Sequence, residues 1–299
     1  MTGAERWALE QVEATGPPAL VHDRPWSRVR QIPLAGGGPA WLKACAPVQR
    51  FEPVLTWSLY GRWPDRVVEV LAHDAENAWL LLADGGTPVG AFGNSPDAWA
   101  AALPLYAELQ RGEAVRVAEH LSAGVTDRRL DLLPALYEDM LGRELGLAAE
   151  EMDALRGAAP EFARLCGELS ARGPTETVQH ADLHLANVYA RGDRMLILDW
   201  GDTSIAHPFF SLARGPDEWP EELRTAYLEP WGAGHEETLA LALRVGAFAY
   251  AFGFLRLWDH LTEQHRPAYA DALPRIVRRA QERWSAFSST RTRRGFEPS

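Results

Sequence analysis

The chain has 299 residues, enough for a large core and typically more than one lobe. Its 46% hydrophobic and 24% charged content is that of an ordinary globular protein. A formal net charge of −11 argues against nucleic acid as a partner, since phosphate binding needs a basic footprint, and it permits a cationic small molecule. The two cysteines, Cys45 and Cys166, are far apart and outside any CxxC pair, which fits reduced thiols.

In chain order, the opening MTGAERWALEQVEATG carries acidic charge and no apolar h-region, so no signal peptide is expected. The first ~90 residues read mostly as strands, at 27–34, 39–46, 66–74 and 77–84, separated by Gly, Pro, Asp and Asn. One helix interrupts them at 49–63, with Pro53 in its first turn. The strand AWLKACA holds the only lysine of the chain, Lys43, against 29 arginines. A lone charge in such a run is explained either by a solvent-facing side of the sheet or by a site.

DGGTPVGAFGNSPD (84–97) is loop-like and marks the boundary. Helical periodicity then dominates at 97–111, 128–145, 150–171, 219–229, 236–264 and 267–286. The longest apolar run, 245–255, is too short to span a bilayer and reads as a buried helix, so neither a membrane nor a nucleic-acid partner is expected and the location is cytoplasmic. The tail 288–299 reads as disordered. These elements predict an α+β arrangement: a small strand-rich lobe, a larger helical lobe, and a cleft suited to a ligand.

One strand-like exception interrupts the helical half, VQHADLHLANVYARGDRMLILDWGD (178–202). VYAR and MLIL pair as a hairpin through Gly192-Asp193, which places residue 187 opposite residue 198. Asn187 and Asp199 then meet at one end, two hard oxygen donors suited to Mg²⁺, with Asp182 close by in the same loop. Each residue alone reads as an ordinary turn former. The combination His180-x-Asp182-x4-Asn187 with apolar-Asp199-Trp200 points to a site.

This segment resembles the catalytic loop and metal-binding strand of the aminoglycoside phosphotransferase family, within the protein-kinase-like folds. QHADLHLAN resembles its H-G-D-x-H-x-x-N loop, LILDWGD its apolar-D-W-x-D element, and HPFFSLA (207–213) its P-x-x-D-L-A, with Ser211 where an Asp is usual. The resemblance implies a two-lobed kinase-like fold: a nucleotide-binding lobe over 1–86, a helical catalytic and acceptor-binding lobe over 87–287, then the tail. It implies ATP or GTP as donor and Mg²⁺ held by Asn187 and Asp199, with Asp182 as catalytic base. His180 would brace the loop, His184 would brace or face the acceptor, and Asp202 would be structural or acceptor-side. Lys43 would contact the nucleotide phosphates and pair with Glu52, or failing that with Glu69. WLLLADGG would lead into the hinge, where Leu82 and Asp84 offer backbone groups to the base. The phosphate-covering loop, expected around 22–28, contains no glycine, so Ser27 or Arg28 would substitute.

The expected partner is a small hydroxyl acceptor. Acidic residues after the metal strand (Asp217, Glu218, Glu221, Glu222, Glu229, Glu236, Glu237, Asp259 and Glu263) favour an aminated one, unless they are merely solvated faces. Trp219, Trp231 and Trp258 would stack on it or belong to the core. Two alternatives stand beside this reading. A pseudokinase would account for the glycine-free loop, and a zinc hydrolase using His180, Asp182 and His184 would leave Asn187 and Asp199 without a role.

Overall fold

A computed structural model describes residues 1–93, 95–215 and 219–293. The N-terminal elements are α1 (Gly3–Leu9), β1 (Ala19–Arg24), β2 (Ser27–Pro33), β3 (Pro39–Cys45), α2 (Glu52–Arg62), β4 (Val70–Asp74) and β5 (Trp79–Leu82). They build one antiparallel sheet in the order β1-β2-β3-β5-β4. α1 and β1 carry weak apolar patterning and had no counterpart in the sequence reading. α1 is started by a capping box between Thr2 and Glu5.

Period-2 alternation explains what β3 does. Ala40, Leu42 and Ala44 pack with Ala4, Ala8 and Ile32 into a small core beneath α1. Lys43 and Cys45 therefore point to the other face, against α2. Lys43 is buried rather than solvent-facing.

The chain then passes through β6 (Thr87–Pro88) to α3 (Pro96–Glu113), α4 (Val117–Ser122), β7 (Thr126–Asp127), α5 (Leu133–Leu141) and α6 (Ala149–Arg172). The helix expected over 128–145 is shorter, because 126–127 pairs with a later strand. Next come β8 (Thr177–Gln179), β9 (Val188–Arg191), β10 (Arg194–Ile197) and β11 (Ser204–Ala206). α7 (Glu221–Leu228), α8 (Glu236–Val245), α9 (Ala249–His260), α10 (Arg266–Tyr269) and α11 (Ala272–Arg293) complete the fold. α11 runs beyond the expected limit of 287, and residues 294–299 lie outside the described residues. The stretch Glu236–His260 is long and apolar enough to cross a membrane, but 78% of its most apolar window is buried inside the protein. Its role here is core.

Two small sheets in the helical lobe, β10-β9-β6 and β7-β11-β8, carry the segment 178–202. The expected hairpin register holds: Val188 faces Ile197, and the Leu198 N–H donates to the Asn187 carbonyl at 2.9 Å. β6 pairs with β9, so the inter-lobe connection is stitched to that hairpin. Gly86 makes this possible, with φ of +91° and a position where a Cβ would lie 2.3 Å from the Ala190 carbonyl oxygen.

Candidate active site

Four segments converge on the cleft between the lobes. Lys43 Nζ lies 2.7 Å from Glu52 and 2.7 Å from Asp199 Oδ1, joining β3, the first residue of α2 and the end of β10. Burial opposes charge on Lys43, yet Asp199 and Glu52 overcome it and hold its pKa well above the ordinary lysine value. Burial dominates at Glu52, whose carboxyl is pushed up to about 6 despite the ammonium beside it. The neighbouring Lys43 charge lowers the pKa of Asp199. Asp199 sits in the left-handed region, φ 62°, at the turn that aims its solvent-accessible carboxylate into the cleft. Gly201 lets this turn approach α2, since a Cβ there would stand 2.7 Å from both Gln49 and Glu52.

Asp182 lies on the loop after β8. Its carboxylate meets Arg214 Nε at 2.6 Å and His184 Nε2 at 3.5 Å. Asn187 donates Nδ2 to the Asp182 carbonyl at 3.0 Å, which turns its Oδ1 the other way, and that oxygen has no hydrogen bond among the described residues. His180 is fully buried and its Nε2 contacts the Leu198 carbonyl at 2.8 Å. Burial lowers its pKa, so it ties the loop to β10 as a neutral ring. Asp202 accepts from Gln49 at 3.1 Å, and burial followed by the charges of Asp199 and Asp182 raises its pKa. Asp182, Asp199 and Asp202 share a cavity of about 140 Å³.

Ser211, the departure from the usual Asp, has a visible function. Its Oγ is 2.8 Å from the Tyr106 hydroxyl, which accepts the His180 backbone N–H at 2.9 Å. A serine–tyrosine pair thus braces the loop that carries His180 and Asp182. Gln110 joins the same buried network through Ser211 and the Val178 carbonyl.

Leu82 and Asp84 stand apart from this cluster. Leu82 ends β5, and the Asp84 carbonyl accepts from Arg191 at 2.9 Å while its carboxylate accepts the Gly86 N–H. Neither lines a described cavity. Within 22–28, where the covering loop is expected, the chain makes a tight turn at Pro25–Trp26 with the flanking residues in strands. Trp26 reaches across the cleft to pack against Tyr269 with the rings tilted by 56° and their centroids 5.4 Å apart.

A second, larger cavity of about 810 Å³ adjoins the first, sharing Trp26, Tyr250 and Phe254 with it. His184 and Arg214 line it beside Asp182. Among the described residues, none of the carboxylates expected to receive an amine lines it. Asp259 is paired with Arg143, Glu237 with Arg172, and Asp217 and Glu218 lie outside the described residues. Of the two readings of the three tryptophans, packing against the core is the one their contacts support. Trp219 is core, edge-on to Trp99 and bonded to the Leu212 carbonyl; Trp231 packs on Phe209 and Trp258 on Phe254. The zinc alternative finds no support, because among the described residues no three His, Cys, Asp or Glu side chains converge on a metal position. Sequence reasoning missed Gln49, Arg128, Arg214 and Trp26 at the cleft. Only Arg214, directly after the SLA motif, had a local signal.

A small antiparallel sheet over a helical lobe, joined by a lysine–glutamate–aspartate bridge, defines a kinase-like phosphotransferase. The model of the phosphotransferase enzyme family (APH) matches residues 66–248, and the chain belongs to that family. It is an enzyme of the small-molecule phosphotransferase class. Comparison with curated proteins yields no significant match. Among solved structures, a choline/ethanolamine kinase family protein from Mesorhizobium loti is 19% identical, with 92% of each chain covered and a TM-score of 0.61. The macrolide 2′-phosphotransferase MphH from Brachybacterium faecium is 16% identical, over 90% of this chain and 96% of that one, with a TM-score of 0.63. The GDP and kanamycin complex of APH(2″)-IIIa is 14% identical, over 95% and 97%, with a TM-score of 0.64. At these identities the likeness establishes the fold.

Proposed function

We propose that the protein moves the γ-phosphoryl group of ATP or GTP to a hydroxyl of a small acceptor, with the donor held between a lobe of residues 1–86 and the helical lobe. The observation that carries this reading is the cross-lobe trio Lys43, Glu52 and Asp199, whose Asp199 shares one cavity with Asp182. Lys43, already held by Glu52, is placed to meet the donor phosphates. The free Asn187 Oδ1 and the accessible Asp199 carboxylate are hard oxygen donors suited to Mg²⁺, which usually takes one or two carboxylates and fills its remaining positions with water and phosphate. When bound, the metal would neutralise phosphate charge during transfer. Asp182 accepts or orients the acceptor proton, and Arg214 holds its carboxylate in place. His180 and Asp202 position these groups, and His184 stands where the acceptor enters. Leu82 and Asp84 would present the base-binding hinge backbone.

The names of the neighbours, choline/ethanolamine kinase and a kanamycin complex, favour an aminated acceptor. The charge of the larger cavity favours a different one, taken up below. Mg²⁺-dependent consumption of ATP or GTP, measured with a panel of hydroxyl acceptors, tests the reaction. Acceleration by an acceptor supports transfer. Intact nucleotide affinity with no acceleration by any acceptor supports the pseudokinase.

A further inference from the structure

We infer that the acceptor is an amphipathic hydroxyl compound carrying an anionic group, a hydroxy acid or its like, rather than an amine. The inference rests on the phosphotransfer reading for the hydroxyl, and on the larger cavity for the rest. That cavity, about 810 Å³, suits a drug-sized molecule. Its apolar wall includes Trp26, Trp99, Tyr250, Phe254, Tyr269 and Ile276, so the acceptor has a substantial apolar body.

Its charged wall is basic. α11 contributes Arg275, Arg279 and Arg283, spaced four residues apart and hence on one helix face, and Arg214 lines the same cavity beside Asp182. No Asp or Glu lines the larger cavity among the described residues. Arg214 is engaged by Asp182, and Arg283 donates to the carbonyls of Ala213 and Gly215. Arg275, exposed on the same face, makes no ion pair among the described residues. An ammonium group in this space would meet guanidinium groups on α11 and no lining carboxylate until Asp182. A carboxylate, sulfate or phosphate would find charge-assisted donors. In a chain of net charge −11, a local basic wall of this kind is selective for the anionic end of a ligand. The geometry also fixes polarity: the hydroxyl enters past His184 toward Asp182, and the anionic end faces Arg275.

The test uses the full chain and three matched probes: ω-hydroxydodecanoate, the corresponding ω-amino alcohol, and the corresponding diol. Binding is read by calorimetry in the presence of Mg²⁺ and a non-hydrolysable nucleotide, so that it does not depend on turnover. Phosphate transfer is followed separately by ³¹P NMR with the natural donor. The hydroxy acid is expected to bind about tenfold or more tightly than the amino alcohol, the value of one charge-assisted contact. Arg275→Glu, an exposed substitution whose folding is checked by circular dichroism, is expected to erase or reverse that preference, and Arg275→Lys to retain most of it. Equal or tighter binding of the amino alcohol, an unchanged preference in Arg275→Glu, or no binding of any probe would overturn the inference. Acid-selective binding without phosphorylation of any probe would sustain the anionic site and defeat the phosphotransfer reading. Preferred phosphorylation of the amino alcohol would do the reverse.

Discussion

Replacing Lys43 with Met tests the cross-lobe bridge through its charge balance. In the native protein one ammonium stands 2.7 Å from each of two carboxylates, so the trio keeps a net negative charge. Glu52 is 1% exposed and titrates at about 6, raised from 4.5 because burial outweighs the attraction of Lys43. That displacement is worth ~2 kcal/mol. Its sign is that of a raised carboxyl: the stabilising share is fully present below pH 4.5 and is lost as pH rises through 6. The lowered pKa of Asp199 acts below its ordinary 3.8 and leaves this window untouched. In Lys43→Met, Glu52 keeps its burial and its repulsion from Asp199 but loses the counter-charge, so it titrates higher still and takes up a proton near neutrality. The cost of the substitution should therefore grow with pH. We expect about 1 kcal/mol near pH 6, where a neutral Glu52 is cheap, rising toward the ~3–5 kcal/mol of a broken buried pair in mildly alkaline buffer. Urea unfolding of wild type, Lys43→Met and Lys43→Met/Glu52→Gln across this range, in EDTA, provides the assay. The double variant should recover most of the loss and flatten the pH dependence. A pH-independent cost, or no recovery in the double variant, would refute the assigned coupling. Lys43→Arg keeps the charge but substitutes a planar fork for a compact ammonium, and should lower turnover by about tenfold or more.

Three further outcomes follow from the same geometry. Gly201→Ala places a methyl 2.7 Å from Gln49 and Glu52, and should cost about 1–3 kcal/mol in thermal unfolding while weakening nucleotide affinity. Ser211→Ala leaves the buried Tyr106 hydroxyl, whose own titration burial has pushed up to about 12, without its serine partner. It should cost about 1–3 kcal/mol and lower kcat through the His180 loop, whereas Ser211→Thr should restore part of both. Arg214→Gln removes the cation 2.6 Å from Asp182, and should lower kcat by about tenfold or more in a steady-state assay, because the carboxylate loses the group that orients it.

The sequence was most informative where local rules were sufficient. Gly192-Asp193 fixed the hairpin turn, turn geometry fixed the register, and the register placed Asn187 beside Leu198 and Asp199. Alternation in β3 and the proline at the start of α2 placed Lys43 opposite Glu52, only nine residues away. The missing parts depend on distant segments. Ser211 could be understood only with Tyr106, 105 residues earlier, and Asp202 only with Gln49, 153 residues earlier. The larger cavity was illegible for a related reason. Counting carboxylates along 217–263 could not reveal that the arginine face of α11 supplies the wall, because helix periodicity gives a face without saying what that face meets. The glycine-free turn was legible as an oddity, but its consequence, Trp26 resting on Tyr269, is a contact between lobes.

The central claim, transfer of phosphate through Asp182, is tested most directly by ³¹P NMR of wild type and Asp182→Asn incubated with Mg²⁺, ATP or GTP and a hydroxyl acceptor. The account predicts a new phosphomonoester signal with the wild type and none with Asp182→Asn, while calorimetry shows nucleotide affinity within a few-fold of native. Full turnover by Asp182→Asn would contradict it.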